Sequence, residues 1–319
     1  MASQGGRYDQ SEPILTMAAT RLGNNHVLAI IAGVTANLIF GFSSLFWKVL
    51  AAIPPATLLG YRVVLSLAML IVVMAILGRF RGLRARLTPR IVLIHAVAAL
   101  FVLVNWSTFI WASIHGHVVE SGLGYLIAPF VAIVVGAVAF GDRMSWVRKI
   151  ALAVIMAAVF AMVQRSGELN HWVYLLIGSS WGAYACLKKL TTLDPFSGLL
   201  CETMVLSAIL ALSLSTPMAS MQLPSALPNG VLLTLALCGV ISVLPLWLFS
   251  LAAARLQLSV MGFFQFVLPT TQLFVALVFY RQAVSSNTLL CFGVIWFALG
   301  ILVSEPLFNR ARPTEKKYS

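Results

Sequence analysis

The stretch GLGYLIAP at residues 122–129 is answered by GFFQFVLP at residues 262–269, an offset of 140. Each opens on a glycine and closes on a proline, Gly122 with Pro129 and Gly262 with Pro269. Both stretches sit in long apolar surroundings, so each reads as an apolar helix interrupted near its middle. A proline there removes an amide donor and crowds the carbonyl four residues back. Working outward, the same offset matches Phe109 with Phe249 and Pro55 with Pro195. With one residue of slip, Gly41 and Lys48 match Gly182 and Lys189. Glycine and proline are common in membrane helices, so the signal is the shared offset rather than any single match.

Of the 319 residues, 61% are hydrophobic and 9% are charged. Soluble domains run at about 45–50% apolar and 25% charged, which excludes a soluble globular protein, a disordered chain and a disulfide framework. The apolar residues suffice for roughly nine or ten membrane helices of about 20 residues. Ten apolar segments follow one another near 27–47, 57–78, 91–113, 117–140, 147–164, 171–187, 196–213, 229–254, 259–280 and 287–304. Five make up each copy of the repeat. An odd number of crossings makes the second copy enter from the opposite side, so the repeats are inverted in the membrane. The sequence therefore predicts an all-α membrane protein of ten transmembrane helices. Its parts are a polar N-terminal tail (1–26), a first five-helix repeat (27–164), a second (171–304) and a basic C-terminal tail (305–319). The polar tail lacks the short apolar core of a signal peptide, so the first helix is expected to remain in the mature protein.

The net charge is +12, but its cations lie between apolar segments. With the N-terminus in the cytoplasm, 17 of the 21 Lys and Arg fall on the cytoplasmic side. Only Lys48, Arg165 and Arg281 fall on the other, and Arg62 lies within a span. This bias places both termini inside and reads as orientation in a lipid bilayer, not as a nucleic-acid partner. Cys186, Cys201, Cys238 and Cys291 all lie in apolar segments without a CxxC motif and read as small buried residues.

NWSTFIWASIHGHVVESGLGYLIAP (105–129) resembles the signature of the RarD-type proteins, as do ACLKK (185–189), CET (201–203), VLPLWLF (243–249) and MGFFQFVLPT (261–270). These proteins belong to the EamA group of the drug/metabolite transporter superfamily. The resemblance covers residues 25–305. It implies ten helices in two inverted five-helix repeats and transport of small metabolites or drugs. The chain departs from the group's pattern at Ala128, where relatives usually carry Asn. It departs again at Arg281–Gln282, where many carry an acid that Asp142 keeps in the first repeat.

The sequence contains no GxxxxGK[ST] loop or HExxH pair, and its GxSxG match, GSSWG at 178–182, lies inside an apolar segment rather than at a strand-to-helix turn, so a pump or hydrolase of those kinds is not expected. Candidate chemistry lies instead in the few polar residues within the spans, since ionisable groups at bilayer depth must face a cavity or a partner. Helix rise puts Arg62 and Glu120 on the outer side and Glu202 on the inner side near Lys188 and Lys189. Two pairs are expected, Arg62–Glu120 outside and Lys188 or Lys189 with Glu202 inside, serving either as alternating gates or as static packing pairs. Pro129 and Pro269 free the carbonyls of Tyr125 and Gln265. These two, with Asn105, Trp106 and Gln272, are the expected cavity residues, an ordinary packed kink being the alternative. Trp47, Trp111 and Trp172 read as interfacial anchors. His115, His117 and Glu120 lack a fourth ligand for a metal, so no metal or cofactor is expected; His117 is a candidate proton-sensitive residue on the outer side. Asn37 between Gly33 and Gly41, and the stripe Ala153, Ala157 and Ala161, read as close-packing faces, the stripe being the candidate surface of a homodimer.

The leading expectation is a multi-pass secondary transporter of the bacterial inner membrane. It would move a small-molecule substrate by alternating access as an exporter or exchanger, driven by a proton gradient or by exchange. A membrane-embedded enzyme acting on a lipid-linked substrate is the rival from another class, and a passive facilitator the third.

Overall fold

A computed structural model describes residues 12–139, 141, 145–165, 169–215, 221–257, 260–261 and 264–310. Gly262, Asp142 and the outermost tail residues lie outside these. The helices are α1 (Glu12–Val49), α2 (Pro55–Ile76), α3 (Phe80–Arg86), α4 (Pro89–Ile114), α5 (Val118–Ala139) and α6 (Trp146–Arg165). They continue as α7 (His171–Leu190), α8 (Pro195–Leu214), α9 (Asn229–Ala236), α10 (Cys238–Ala253), α11 (Val267–Val278) and α12 (Ser286–Arg310). Among the described residues there is no strand. Every apolar segment of the sequence is occupied by helix. The eighth is split into α9 and α10 at Leu237, and the ninth contains a turn at Gln265–Phe266 before α11. The basic connection after α2 also folds, as the short α3.

Among the described residues, five helical stretches are long and apolar enough to cross a bilayer: His26–Val49, Pro55–Ile76, Pro89–Ile114, Pro195–Leu214 and Asn229–Ala253. The distribution of polarity is the reverse of a soluble protein's. Val138, Ile76, Trp146, Phe297 and Leu212 are more than two-thirds exposed, while Asn37, Arg62, His95, Asn105, Glu202, Gln265 and Gln272 are at most 3% exposed. An apolar exterior around a polar interior is stable only where hydrocarbon replaces water. The chain is an all-α, multi-pass membrane protein.

Helix boundaries follow local chemistry. Pro55, Pro89 and Pro195 occupy first turns, where a missing amide costs nothing. Thr88 Oγ1 accepts from the Ile91 amide at 3.3 Å, and Asp194 Oδ1 accepts from that of Ser197 at 3.3 Å. The starts Pro55 and Pro195, Pro89 and Asn229, and Trp146 and Ser286 are each related by the same offset as the two glycine-to-proline stretches. So are Gly141 and Arg281, both in left-handed backbone, with φ of 67° and 50°. Glycine adopts that conformation freely, whereas for arginine it is strained.

Packing repeats in the same sense. The α1–α10 contact is matched by α7–α4, the α5–α7 contact by α11–α1, and the α2–α10 contact by α8–α4. The α5–α11, α2–α8 and α6–α12 pairs are their own counterparts. The α5–α7 crossing is close because two glycines meet there. A Cβ on Gly124 would lie 3.0 Å from the Tyr174 carbonyl oxygen, and one on Gly178 would lie 2.9 Å from that of Gly124. Gly41 brings α1 against α11 in the same way, 3.2 Å from the Leu268 carbonyl oxygen.

Candidate functional site

Arg62 is carried inward on α2, the eighth residue of that helix, and is 3% exposed. Its guanidinium carbon lies 3.7 Å from the Trp106 ring centre and 4.7 Å from that of Trp47. Nε donates to Ser242 Oγ on α10 at 2.9 Å, and the Ser242 hydroxyl in turn donates a hydrogen bond to the Cys238 carbonyl at 2.6 Å. Nη1 has no partner. The expected pair with Glu120 does not form: Arg62 turns toward α1, α4 and α10 and lies between indoles. Desolvated cation–π contacts contribute about 2 kcal/mol, while burying a charge still costs several kcal/mol per ion. The guanidinium stays protonated, so its stacking offsets only part of that cost.

Trp47, expected at the interface, is 1% exposed and its indole N–H is also unpartnered. Its face of α1 turns toward α2, where the indole meets Arg62. Beside it along α4, Asn105 Oδ1 accepts from the Tyr125 hydroxyl at 3.0 Å, and Asn105 Nδ2 donates to Ser180 Oγ at 3.3 Å. Tyr125 stands edge-on to Phe109 and Trp181, at 5.8 and 6.0 Å between ring centres. Trp181 in turn meets Phe40 at 5.1 Å and Phe249 at 5.0 Å. The result is an aromatic wall built by α1, α4, α5, α7 and α10, with the Trp181 N–H buried and unpaired.

Gln265 is 1% exposed, and both atoms of its side-chain amide lack partners. The expected route to it through Pro269 is corrected. Pro269 falls in the first turn of α11, and the Gln265 carbonyl is taken by the Leu268 amide at 3.2 Å, so it is not free. Pro129 does lie inside α5. Gln272 is a clamp between helices, its Nε2 donating to the Gly41 carbonyl at 2.9 Å.

At one end of the bundle Glu202 is the hub. Oε1 receives Lys188 Nζ at 2.9 Å and His95 Nδ1 at 2.8 Å, and Oε2 receives the Tyr184 hydroxyl at 3.1 Å. His95 Nε2 lies 2.7 Å from Thr191 Oγ1. The Lys188–Glu202 pair thus forms, while Lys189 does something else: its Nζ donates to the Leu256 carbonyl at 2.6 Å and that of Ala253 at 3.3 Å. A cavity of about 220 Å³ opens beside this group, lined by Lys188, Thr191, Thr192, Leu193 and Ser250 among others. Arg79 reaches Asp194 at 3.2 Å at the same end.

At the opposite end the Tyr280 hydroxyl lies 2.9 Å from the Ser44 carbonyl and 3.0 Å from that of Ser113, tying α1 to α4. Lys48 Nζ donates to the Phe279 carbonyl at 3.2 Å and lies 4.1 Å from the Tyr280 ring centre. Its repeat match Lys189 likewise ends on helix-terminal carbonyls. Glu120 accepts from His117 Nδ1 at 2.8 Å and from Gln282 Nε2 at 3.3 Å. His117 stacks on Trp111 at 5.1 Å, and Trp172 leans on the same indole at 4.7 Å. Among the described residues, no three His, Cys, Asp or Glu side chains gather as metal ligands would.

His95, Ser242, Trp181, Tyr184 and Tyr280 escaped the sequence reading. His95 could have been found, because it is an ionisable residue inside an apolar span, the criterion that singled out Arg62 and Glu202. The tyrosines and Trp181 carry no such signal, since aromatic residues are common throughout the spans.

No family model matches the chain. Among curated proteins it is similar to Protein RarD of Salmonella typhi, 31% identical over 292 residues covering 89% of this chain and 97% of that one. Protein RarD of Escherichia coli is 29% identical, covering 90% and 97%. An uncharacterized transporter of Bacillus subtilis, YojE, is 31% identical, covering 82% and 89%. A solved crystal structure shares the fold with a TM-score of 0.61 at 17% identity, covering 86% of this chain and 98% of the other.

Proposed function

The chain belongs to the RarD-type proteins of the EamA group and is a membrane transporter; from that premise we propose that it moves a small molecule across the bacterial inner membrane by alternating access. The observation that carries this reading is a set of buried, unpaired polar atoms in the interior, with a polar network at each end. Arg62 Nη1, the Trp47 and Trp181 indole N–H groups and both amide atoms of Gln265 are out of water without partners. Groups of this kind cost free energy unless something binds them. Tyr280, Lys48 and Glu120 close one end, and Glu202, Lys188, His95 and Lys189 close the other.

Ten crossings in two inverted repeats, with both termini cytoplasmic, fit this arrangement. Arg79, Lys188 and Lys189, expected at the cytoplasmic side, are bound at one end with Asp194, Glu202 and Leu256, and Lys48 and Glu120, expected outside, are bound at the other with Phe279 and Gln282. The equally offset helix starts and the exchanged packing partners support the two-fold relation. Alternation then consists of opening one polar layer while the other stays closed. The protein works as an exporter or exchanger, and the Glu202 cluster is the candidate for proton coupling.

Purified protein in proteoliposomes tests this. Counterflow of a labelled substrate, found by a thermal-shift screen of metabolites and antibiotics, should saturate and be stimulated by substrate on the far side. Non-saturating flux without that stimulation would mark a passive facilitator.

A further inference from the structure

We infer that the transported molecule is a small organic anion whose carboxylate or similar group is taken by Arg62, with its apolar body against the neighbouring aromatic wall. This rests on the transporter reading and narrows its substrate class. Five observations carry it. Arg62 is 3% exposed, and among the described residues no carboxylate lies within ion-pair distance of it. The buried acids among the described residues are engaged elsewhere, Glu202 by Lys188 and His95, and Glu120 by His117 and Gln282. Nε is held by Ser242, which fixes the plane of the fork and leaves Nη1 unpaired. The Trp47 indole N–H, on the ring 4.7 Å from the guanidinium carbon, is a second unpaired donor beside it. Trp106 stacks on the guanidinium at 3.7 Å, and its neighbour Asn105 holds Tyr125, which leads to Trp181, Phe40 and Phe249.

The chemistry of this set is one-sided. A guanidinium and an indole N–H only donate, so their complement is an acceptor, and the guanidinium's charge makes an anion the best one. A substrate amine would add a second buried cation beside Arg62 and is disfavoured by like-charge repulsion. The aromatic rings leave the rest of the ligand an apolar, planar surface to lie on.

Three probes of nearly one shape separate the alternatives: benzoate, benzamide and benzylamine, each added to the full-length protein in nanodiscs and followed by thermal shift and tryptophan fluorescence. Benzoate is expected to stabilise the protein and to quench its fluorescence, with benzamide and benzylamine at least roughly tenfold weaker, as suits loss of a charge-assisted fork. Arg62→Gln should abolish the benzoate response. Arg62→Lys keeps the charge but not the fork, and should weaken it by roughly tenfold. Should Arg62→Gln fail to fold, the Arg62→Lys comparison decides alone. The inference falls if benzamide or benzylamine binds as well as benzoate, if benzoate gives no response, or if Arg62→Lys binds benzoate like the unaltered protein. In those cases saturable counterflow of a neutral or cationic substrate would still uphold the transporter reading, whereas its absence for every substrate class would remove that reading as well.

Discussion

Glu202 lies in the most heavily connected polar cluster, and its removal has a definite sign. Glu202→Gln leaves Lys188 and His95 buried without the carboxylate that holds both. Breaking a buried pair on one side costs about 3–5 kcal/mol, so the variant should lose much of its thermal stability in detergent. Lys188→Met combined with Glu202→Gln should lose less than the sum of the two singles, and additive losses would show that they are not coupled. Tyr280→Phe is milder. A hydroxyl carries one proton and serves either the Ser44 or the Ser113 carbonyl at a time. Its loss should cost about 1 kcal/mol and raise labelling of the centre from outside; unchanged labelling would remove Tyr280 from the closing layer. Arg62 and Glu202 were legible in the sequence because charge inside an apolar span is rare, and Lys188 because it lies at the same end as Glu202. Their partners were not. Rise along a helix gives depth but not azimuth, so Arg62 was assigned to Glu120 although it turns toward Trp47, Trp106 and Ser242, and Trp47 was assigned to the membrane interface although it faces α2.

Helix ends carry two further expectations. Arg281 holds a φ of 50° where its counterpart in the first repeat is Gly141. The left-handed conformation costs an L-residue about 1–2 kcal/mol, and glycine's larger unfolded entropy returns roughly half of that. Arg281→Gly should therefore raise the melting temperature by a few degrees, and a drop would mean that the Arg281 side chain has a stabilising partner. Asp194 caps α8 through Ser197 and pairs with Arg79. Burial alone would raise its pKa, but the Ser197 hydrogen bonds and the Arg79 charge hold it below the usual carboxylate range. A lowered folded value gives stability that is present above the ordinary pKa of about 3.9 and is lost as pH falls through the folded value. Asp194→Ala should cost about 1 kcal/mol at neutral pH, with the difference from the unaltered protein vanishing in acid. Elements were the most legible level, because apolar runs of span length admit little besides helix. The exceptions are the ninth segment, where the turn at Gln265–Phe266 moves Pro269 into a first turn, and the basic stretch that folds as α3.

For the molecule as a whole, the offset of 140 read from a few glycines and prolines recurs in helix starts and in packing partners, which supports the proposed two-fold relation. What could not be read was which helices touch, because apolar surface is nearly uniform along the chain and small residues decide the crossings. Reporter fusions at residues 85 and 319 should read as cytoplasmic, and those at 165 and 220 as external; an external C-terminus would refute the orientation. The central claim is that one buried centre is reached from either side but not from both at once. It is tested by replacing the native cysteines, introducing Gln265→Cys as the reporter, and locking one end at a time with a crosslink: Ser44→Cys with Tyr280→Cys outside, or Lys189→Cys with Leu256→Cys inside. With the outer lock formed, a membrane-impermeant thiol reagent should modify position 265 from the cytoplasmic side alone, and with the inner lock from the external side alone. Modification from both sides under either lock, or from neither side in the unlocked protein, would contradict alternating access around this centre.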